Sequence, residues 1–217
     1  MTRTVLARRH AVPATALLLA CALAAVPAAA QTWAEVGDAG SLVSSAQVTS
    51  GNGPFQAITG ALAAHDDVDV YCFQLSAVPP MGQPLASIAC TMHADPSLYI
   101  FDASGLGIDA NMTCAGGMKI VGANGSMAPG LYYLAVAHGD YLPNSAGGAI
   151  WNFTYANHFA PNGPGAASPL TGWVGPLTVV PAAPYQLNLW WNWANWCELA
   201  TAEEATSWGS LKARYGD

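Results

Sequence analysis

Asp66-Asp67-Val68-Asp69-Val70-Tyr71-Cys72-Phe73-Gln74-Leu75 is the stretch on which the reading of the fold turns. From Asp69 onward, Tyr71, Phe73 and Leu75 fall on one face of an extended chain, and Val70, Cys72 and Gln74 on the other. β-branched and aromatic residues dominate the run, and acids precede it, as expected of a strand entered from a turn. The same pattern recurs outward from it, over 57–62, 85–92, 98–101, 118–121, 131–137, 150–155 and 185–193. Each run is bounded by Gly, Pro, Asn or Asp, and the chain's 22 Gly and 15 Pro cluster between the runs. About eight strands with no convincing helix between them predict an all-β fold, an antiparallel β-sandwich. The Pro/Gly-rich stretch over 160–184 contains Trp173 and an apolar run over 177–180, so it is expected to be an ordered excursion rather than a free linker.

The beginning of the chain reads differently. Its first ten residues carry Arg3, Arg8 and Arg9 and no acid, and an uncharged run follows over 11–26. The run closes on Val26-Pro27-Ala28-Ala29-Ala30 ahead of Gln31, with small residues at the two positions that a signal peptidase must accept. Residues 1–30 are therefore expected to be a cleaved secretion signal. A membrane anchor is the competing reading, but Pro13 and Pro27 bracket an alanine-rich stretch that is short for a span of about 20 residues. Leu18-Leu19-Ala20-Cys21 also resembles a bacterial lipobox, so a lipoprotein acylated at Cys21 is the alternative. The expected address is secreted, periplasmic or cell-envelope, with no transmembrane helix in the mature chain.

The organisation that follows is a signal over 1–30, a sandwich domain over 31–196 and a C-terminal tail over 197–217. In the tail, Thr201 is placed to cap a short helix with Glu203 and Glu204 in its first turn and Lys212 and Arg214 in its last, although Gly209 interrupts it. Beyond the signal only Lys119, Lys212 and Arg214 oppose 13 acids, a formal charge of −10. Such a surface repels phosphate backbones, which argues against a nucleic-acid partner. Hydrophobic residues make up 53% of the chain and charged residues 9%, which excludes a disordered polyelectrolyte. Apart from Cys21 the cysteines are Cys72, Cys90, Cys114 and Cys197; an even number in an exported chain predicts two disulfides of unspecified pairing. A zinc site is the alternative, but no CxxC pair is present and only His93 lies close to one of the four.

Several segments together carry a family likeness: TWAEVGDAG (32–40), DDVDVYCFQL (66–75), ADPSLYIFDASGLGI (94–108), APGLYYLAVA (128–137) and YQLNL (185–189). In this order they resemble the bacterial pre-peptidase C-terminal (PPC) domains, secreted β-sandwiches, over most of residues 32–190. The resemblance implies a jelly-roll-like fold that accompanies exported hydrolases and assists their secretion, folding or attachment to substrate. No protease domain precedes the sandwich in this sequence. SWGSLKARYG (207–216) is similar to short terminal segments of some exported bacterial proteins, which implies a sorting or docking role.

Two groups of residues are candidates for binding. Asp67 and Asp69 lie two apart where a strand begins, and Asp102, Ser104 and Asp109 surround a glycine-bearing loop; these oxygens suit calcium, a hard cation that takes six to eight of them. The competing reading of the second group is a plain hairpin turn, because tight turns select Asp, Ser and Gly as well. Near the end of the last strand, Trp190 shares a face with Gln186 and Asn188, so Trp190 and Asn188 are candidates for stacking on and hydrogen bonding to a sugar or peptide. Burial of Trp190 under the 160–184 excursion is the alternative. No HExxH, G-x-S-x-G or phosphate-binding loop occurs, and His65, His93, His138 and His158 are scattered.

The expected function is an exported, non-catalytic accessory or binding module, with no cofactor or with Ca2+, facing an extracellular protein or polysaccharide. A small secreted hydrolase using a carboxylate pair is a second expectation, recognisable by two acids in one concave pocket with a raised pKa. A structural envelope or matrix protein retained through its C-terminal segment is a third.

Overall fold

Val68–Leu75 is buried on both faces, with only Gln74 exposed, and the rest of the molecule is layered around it. The computed structural model describes residues 31–63, 67–80, 82–90, 95–112, 118–122, 127–152, 159–175, 182–190 and 193–197. The protein is all-β. Its strands begin with β1 (Gln31–Ala34), β2 (Gln47–Val48), β3 (Phe55–Leu62), β4 (Val68–Leu75) and β5 (Ala86–Ala89). They continue with β6 (Pro96–Asp102), β7 (Gly107–Asn111), β8 (Met118–Val121), β9 (Gly130–His138) and β10 (Leu142–Ser145). The last are β11 (Gly148–Ala149), β12 (Leu170–Val174), β13 (Ala183–Leu189) and β14 (Ala194–Trp196). One short 3-10 turn, Val43–Ser45, is the only helical element among the described residues, and none is long and apolar enough to cross a membrane.

A five-stranded sheet runs in the order β1-β3-β13-β5-β8, and a central sheet runs β14-β4-β9-β6-β7 with β2 also paired to β4. Between these two lies the larger core, in which Tyr71, Phe73 and Leu75 of β4 meet Ile58 of β3 and Leu187 of β13. Trp196 closes this core at one end, stacked on Phe55 with ring centres 4.3 Å apart. The central sheet has a second buried face. Val68, Val70 and Cys72 of β4, with Tyr99 and Phe101 of β6, pack against Ile150, Trp151 and Leu170. These last residues belong to a three-stranded layer, β11-β10-β12, and to the chain that links its strands. Alternation in β4 thus serves two cores at once, which is why both of its faces are apolar.

The structure corrects several expectations. The two-sheet sandwich is covered by a third sheet, and β1–β3 and β2–β4 pair parallel while the other pairings are antiparallel. The strand expected over 150–155 is absent at its start: Ile150 and Trp151 form a bend in which Trp151 is held by its own Nε1–H to Phe159 O (3.1 Å), and 153–158 lie outside the described residues. The strand expected over 185–193 stops at Leu189, after which the chain changes sheets and β14 pairs with β4. The signal over 1–30 and the helix expected after Thr201 also lie outside the described residues.

Candidate metal centre

β1 pairs parallel with β3, and the ladder carries one residue further, where Glu35 N–H donates to Thr59 O (2.8 Å). Gly37 (φ +71°) then turns the chain back. Gln47 fixes this turn from both sides, accepting from Val36 N–H at 3.2 Å and donating to Val36 O at 2.8 Å. Glu35 is itself held: its Oε1 accepts from Ala39 N–H (2.8 Å) and its Oε2 from Ala61 N–H (3.0 Å). The segment from Glu35 to Asp38 is therefore built by the edge of the five-stranded sheet.

Asp69 faces it from β4 of the central sheet and is fully buried. Its Oδ2 accepts from Tyr185 Oη at 2.5 Å, and Tyr185 Oη in turn accepts from Tyr71 Oη at 2.6 Å. Its Oδ1 has no hydrogen-bond partner. One carboxylate oxygen from each of Glu35, Asp38 and Asp69 lies within 4.8 Å of the others, the one such group of three among the described residues. Gly60 makes the convergence possible, because a Cβ there would fall 2.6 Å from both Glu35 Oε2 and Tyr185 Oη.

Burial pushes the Asp69 carboxyl up to about 8; the Tyr185 hydrogen bond opposes this, and repulsion from Glu35, Asp67 and Asp38 adds to it. Asp67 shifts upward as well, mainly by desolvation, against a hydrogen bond from Ala63 N–H to its Oδ2. Burial and the neighbouring negative charge likewise raise the Tyr71 and Tyr185 hydroxyls. A buried carboxylate with an unsatisfied oxygen is costly, and two further acids beside it make it costlier. Two states relieve that cost: a proton on Asp69, or a cation shared by the three groups. The donors are all oxygens, which suits calcium and not soft metals; water and backbone carbonyls would complete its shell. Because Glu35 and Asp38 come from one side of the larger core and Asp69 from the other, an ion bound here would tie the two main sheets together.

Of the candidates from sequence, Asp69 lies in this group. Asp67 lies beside it and, with Asp38, lines an open pocket of about 450 Å3. Glu35, Asp38 and Tyr185 were not foreseen; the Glu-x-x-Asp spacing around Gly37 is the only local sign of the first two. Asp102, Ser104 and Asp109 lie outside this group of converging carboxylates. Asp102 Oδ1 is taken by its own turn, accepting from Ser104 N–H (2.8 Å), Ser104 Oγ–H (2.6 Å) and Leu106 N–H (3.0 Å), with Gly105 at φ +85°. Asp109 is fully buried on β7, where its two oxygens accept from Ala110 N–H (3.0 Å) and Gly122 N–H (2.6 Å). Residues 102 to 105 form a tight turn, closed by Gly105 N–H donating to Asp102 O (2.9 Å).

Trp190 sits at the outward side of the five-stranded sheet, 36% exposed, with Nε1–H donating to Ser87 Oγ (2.8 Å). Asn188 is on the same face of β13. Cys72 and Cys197 form a disulfide, and Cys90 is disulfide-bonded too, while Cys114 lies outside the described residues. Neither the protein-family models nor the curated proteins include a match to this chain.

Proposed function

We propose that this chain is an exported, non-catalytic binding module whose two main sheets are braced by calcium at Glu35, Asp38 and Asp69. The observation that carries the reading is the convergence of two further carboxylates on buried Asp69, a residue that has one oxygen without a hydrogen-bond partner. The resemblance to PPC domains supports the accessory role. Three of its segments, TWAEVGDAG, DDVDVYCFQL and YQLNL, supply Glu35 with Asp38, Asp69 and Tyr185, and these residues meet at one place. The disulfide supports export, because such bonds persist in oxidising compartments. The test is thermal unfolding with excess calcium against a chelator. At calcium a hundredfold above its Kd, the melting temperature should rise by about 5–10 °C for a domain of this size. Coincident melts would end the calcium reading.

One observation favours a second reading, a hydrolase with a carboxylate pair: Asp67 and Asp69 are both shifted upward beside an open pocket. Against it, Asp69 has no exposed surface and does not line that pocket, so its proton cannot reach a substrate there. Turnover of chromogenic glycosides that is abolished by Asp67→Asn would establish the enzyme.

A further inference from the structure

We propose that the outward face of the five-stranded sheet, with Trp190 at one end, binds a neutral polysaccharide; this rests on the binding-module reading and names the ligand class. The face is chemically distinct from the rest of the molecule. Its outward positions run from Thr32 on β1 across Thr59 and Ala61 on β3 to Gln186 and Asn188 on β13, and no outward residue of the five strands is charged. In a chain with 13 acids this is a marked exclusion. The carboxylates of Glu35, Asp38 and Asp69 gather instead where the two main sheets meet.

Trp190 is fixed in place at the end of this surface. Its backbone N–H donates to Leu85 O (2.9 Å) and its indole N–H to Ser87 Oγ (2.8 Å). Ser87 is an outward residue of β5 and yet fully buried, so the indole N–H lies against the sheet, while Trp190 as a residue stays 36% exposed. An aromatic surface held by two hydrogen bonds loses little freedom on binding. Two residues before it, Asn188 Oδ1 accepts from Gln186 Nε2–H (2.8 Å). That bond orients both amides and leaves Asn188 Nδ2 as a donor and Gln186 Oε1 as an acceptor with no protein partner among the described residues.

A pyranose ring has an apolar C–H face and a rim of hydroxyls, and it matches this arrangement: the ring face stacks on the indole and the hydroxyls reach the amides. The other ligand classes fit less well. An anionic glycan or phosphate finds no cation here, and a basic peptide finds no acid. A folded protein partner would need a pocket for an anchoring side chain, and small residues such as Ala34, Thr59 and Ala61 make this surface shallow.

The purified full chain is to be mixed with regenerated cellulose and with chitin, both neutral β-linked glycans, and its depletion from solution measured at low salt and at 1 M NaCl. Depletion by at least one of them, unchanged by salt, is expected. Trp190→Ala should weaken it about tenfold or more and Asn188→Ala by less, while Trp190→Phe keeps a stacking surface and most of the binding. Melting curves of each variant report whether the fold is retained. No depletion by either glycan overturns the inference, and a normal calcium response in the same preparation leaves the braced module standing. Depletion that Trp190→Ala does not change moves the ligand to another surface. A concentration-dependent dimer that Trp190→Ala dissolves assigns this face to a second copy of the chain.

Discussion

At the scale of single residues, Asp69 ties stability to pH. Below pH 3.8 both the folded and the unfolded chain hold its proton, and between there and about 8 only the folded chain does. Metal-free protein should therefore lose stability as pH rises across that window, by up to about 1.4 kcal/mol per unit, and the loss is complete above about 8. Asp67, also shifted upward, acts in the same direction. Asp69→Asn removes the ionisation while keeping an acceptor for Tyr185. In chelator at pH 8 this variant should be more stable than the parent, and calcium should no longer stabilise it; urea unfolding at several pH values with and without calcium checks both. The DVDVY pattern made Asp69 legible in the sequence, since an acid inside an apolar strand is conspicuous. Glu35 and Asp38 were legible only as a Glu-x-x-Asp spacing around Gly37, because a parallel pairing with β3 and the stacking of two sheets bring them to Asp69.

At the scale of elements, the N-terminal strand and the last strand depend on a few fixings each. Gly60 leaves the space that Glu35 and Tyr185 occupy, so Gly60→Ala should cost about 1–3 kcal/mol and also abolish the calcium-dependent shift in melting. β14 is held to β4 by the Cys72–Cys197 bond, which spans 125 residues, and by Thr49, whose O and Oγ1 both accept from Cys197 N–H (2.9 and 3.1 Å). Replacing both cysteines by serine should cost about 4–5 kcal/mol in urea unfolding, with β14 amides losing hydrogen-exchange protection first. The strands that hold apolar alternation, β4, β6 and β9, could be read from the sequence. β10, β11 and β12 could not: Leu142-Pro143-Asn144-Ser145 and Gly148-Ala149 have weak strand preference and are strands because they pair with one another over the second core.

At the scale of the whole molecule, two cores share the central sheet, so damage to the smaller one should reach the larger. Trp151 is fully buried, with its ring centre 5.4 Å from that of Tyr99 and 5.7 Å from that of Phe101. Trp151→Ala should cost about 3–5 kcal/mol and still give one cooperative unfolding transition; two resolved calorimetric transitions would show that the layers unfold separately. The outer edge of the central sheet carries a further consequence. β2 covers β4 at Tyr71 and Cys72, and β14 covers it at Phe73, Gln74 and Leu75, so two short strands divide one long border. Were β14 released, for instance in a reducing cytoplasm, the backbone of a buried central strand would become a template for another chain, and filament or inclusion-body formation is the expected outcome. Oxidation before accumulation is then expected to keep this protein soluble as well as stable.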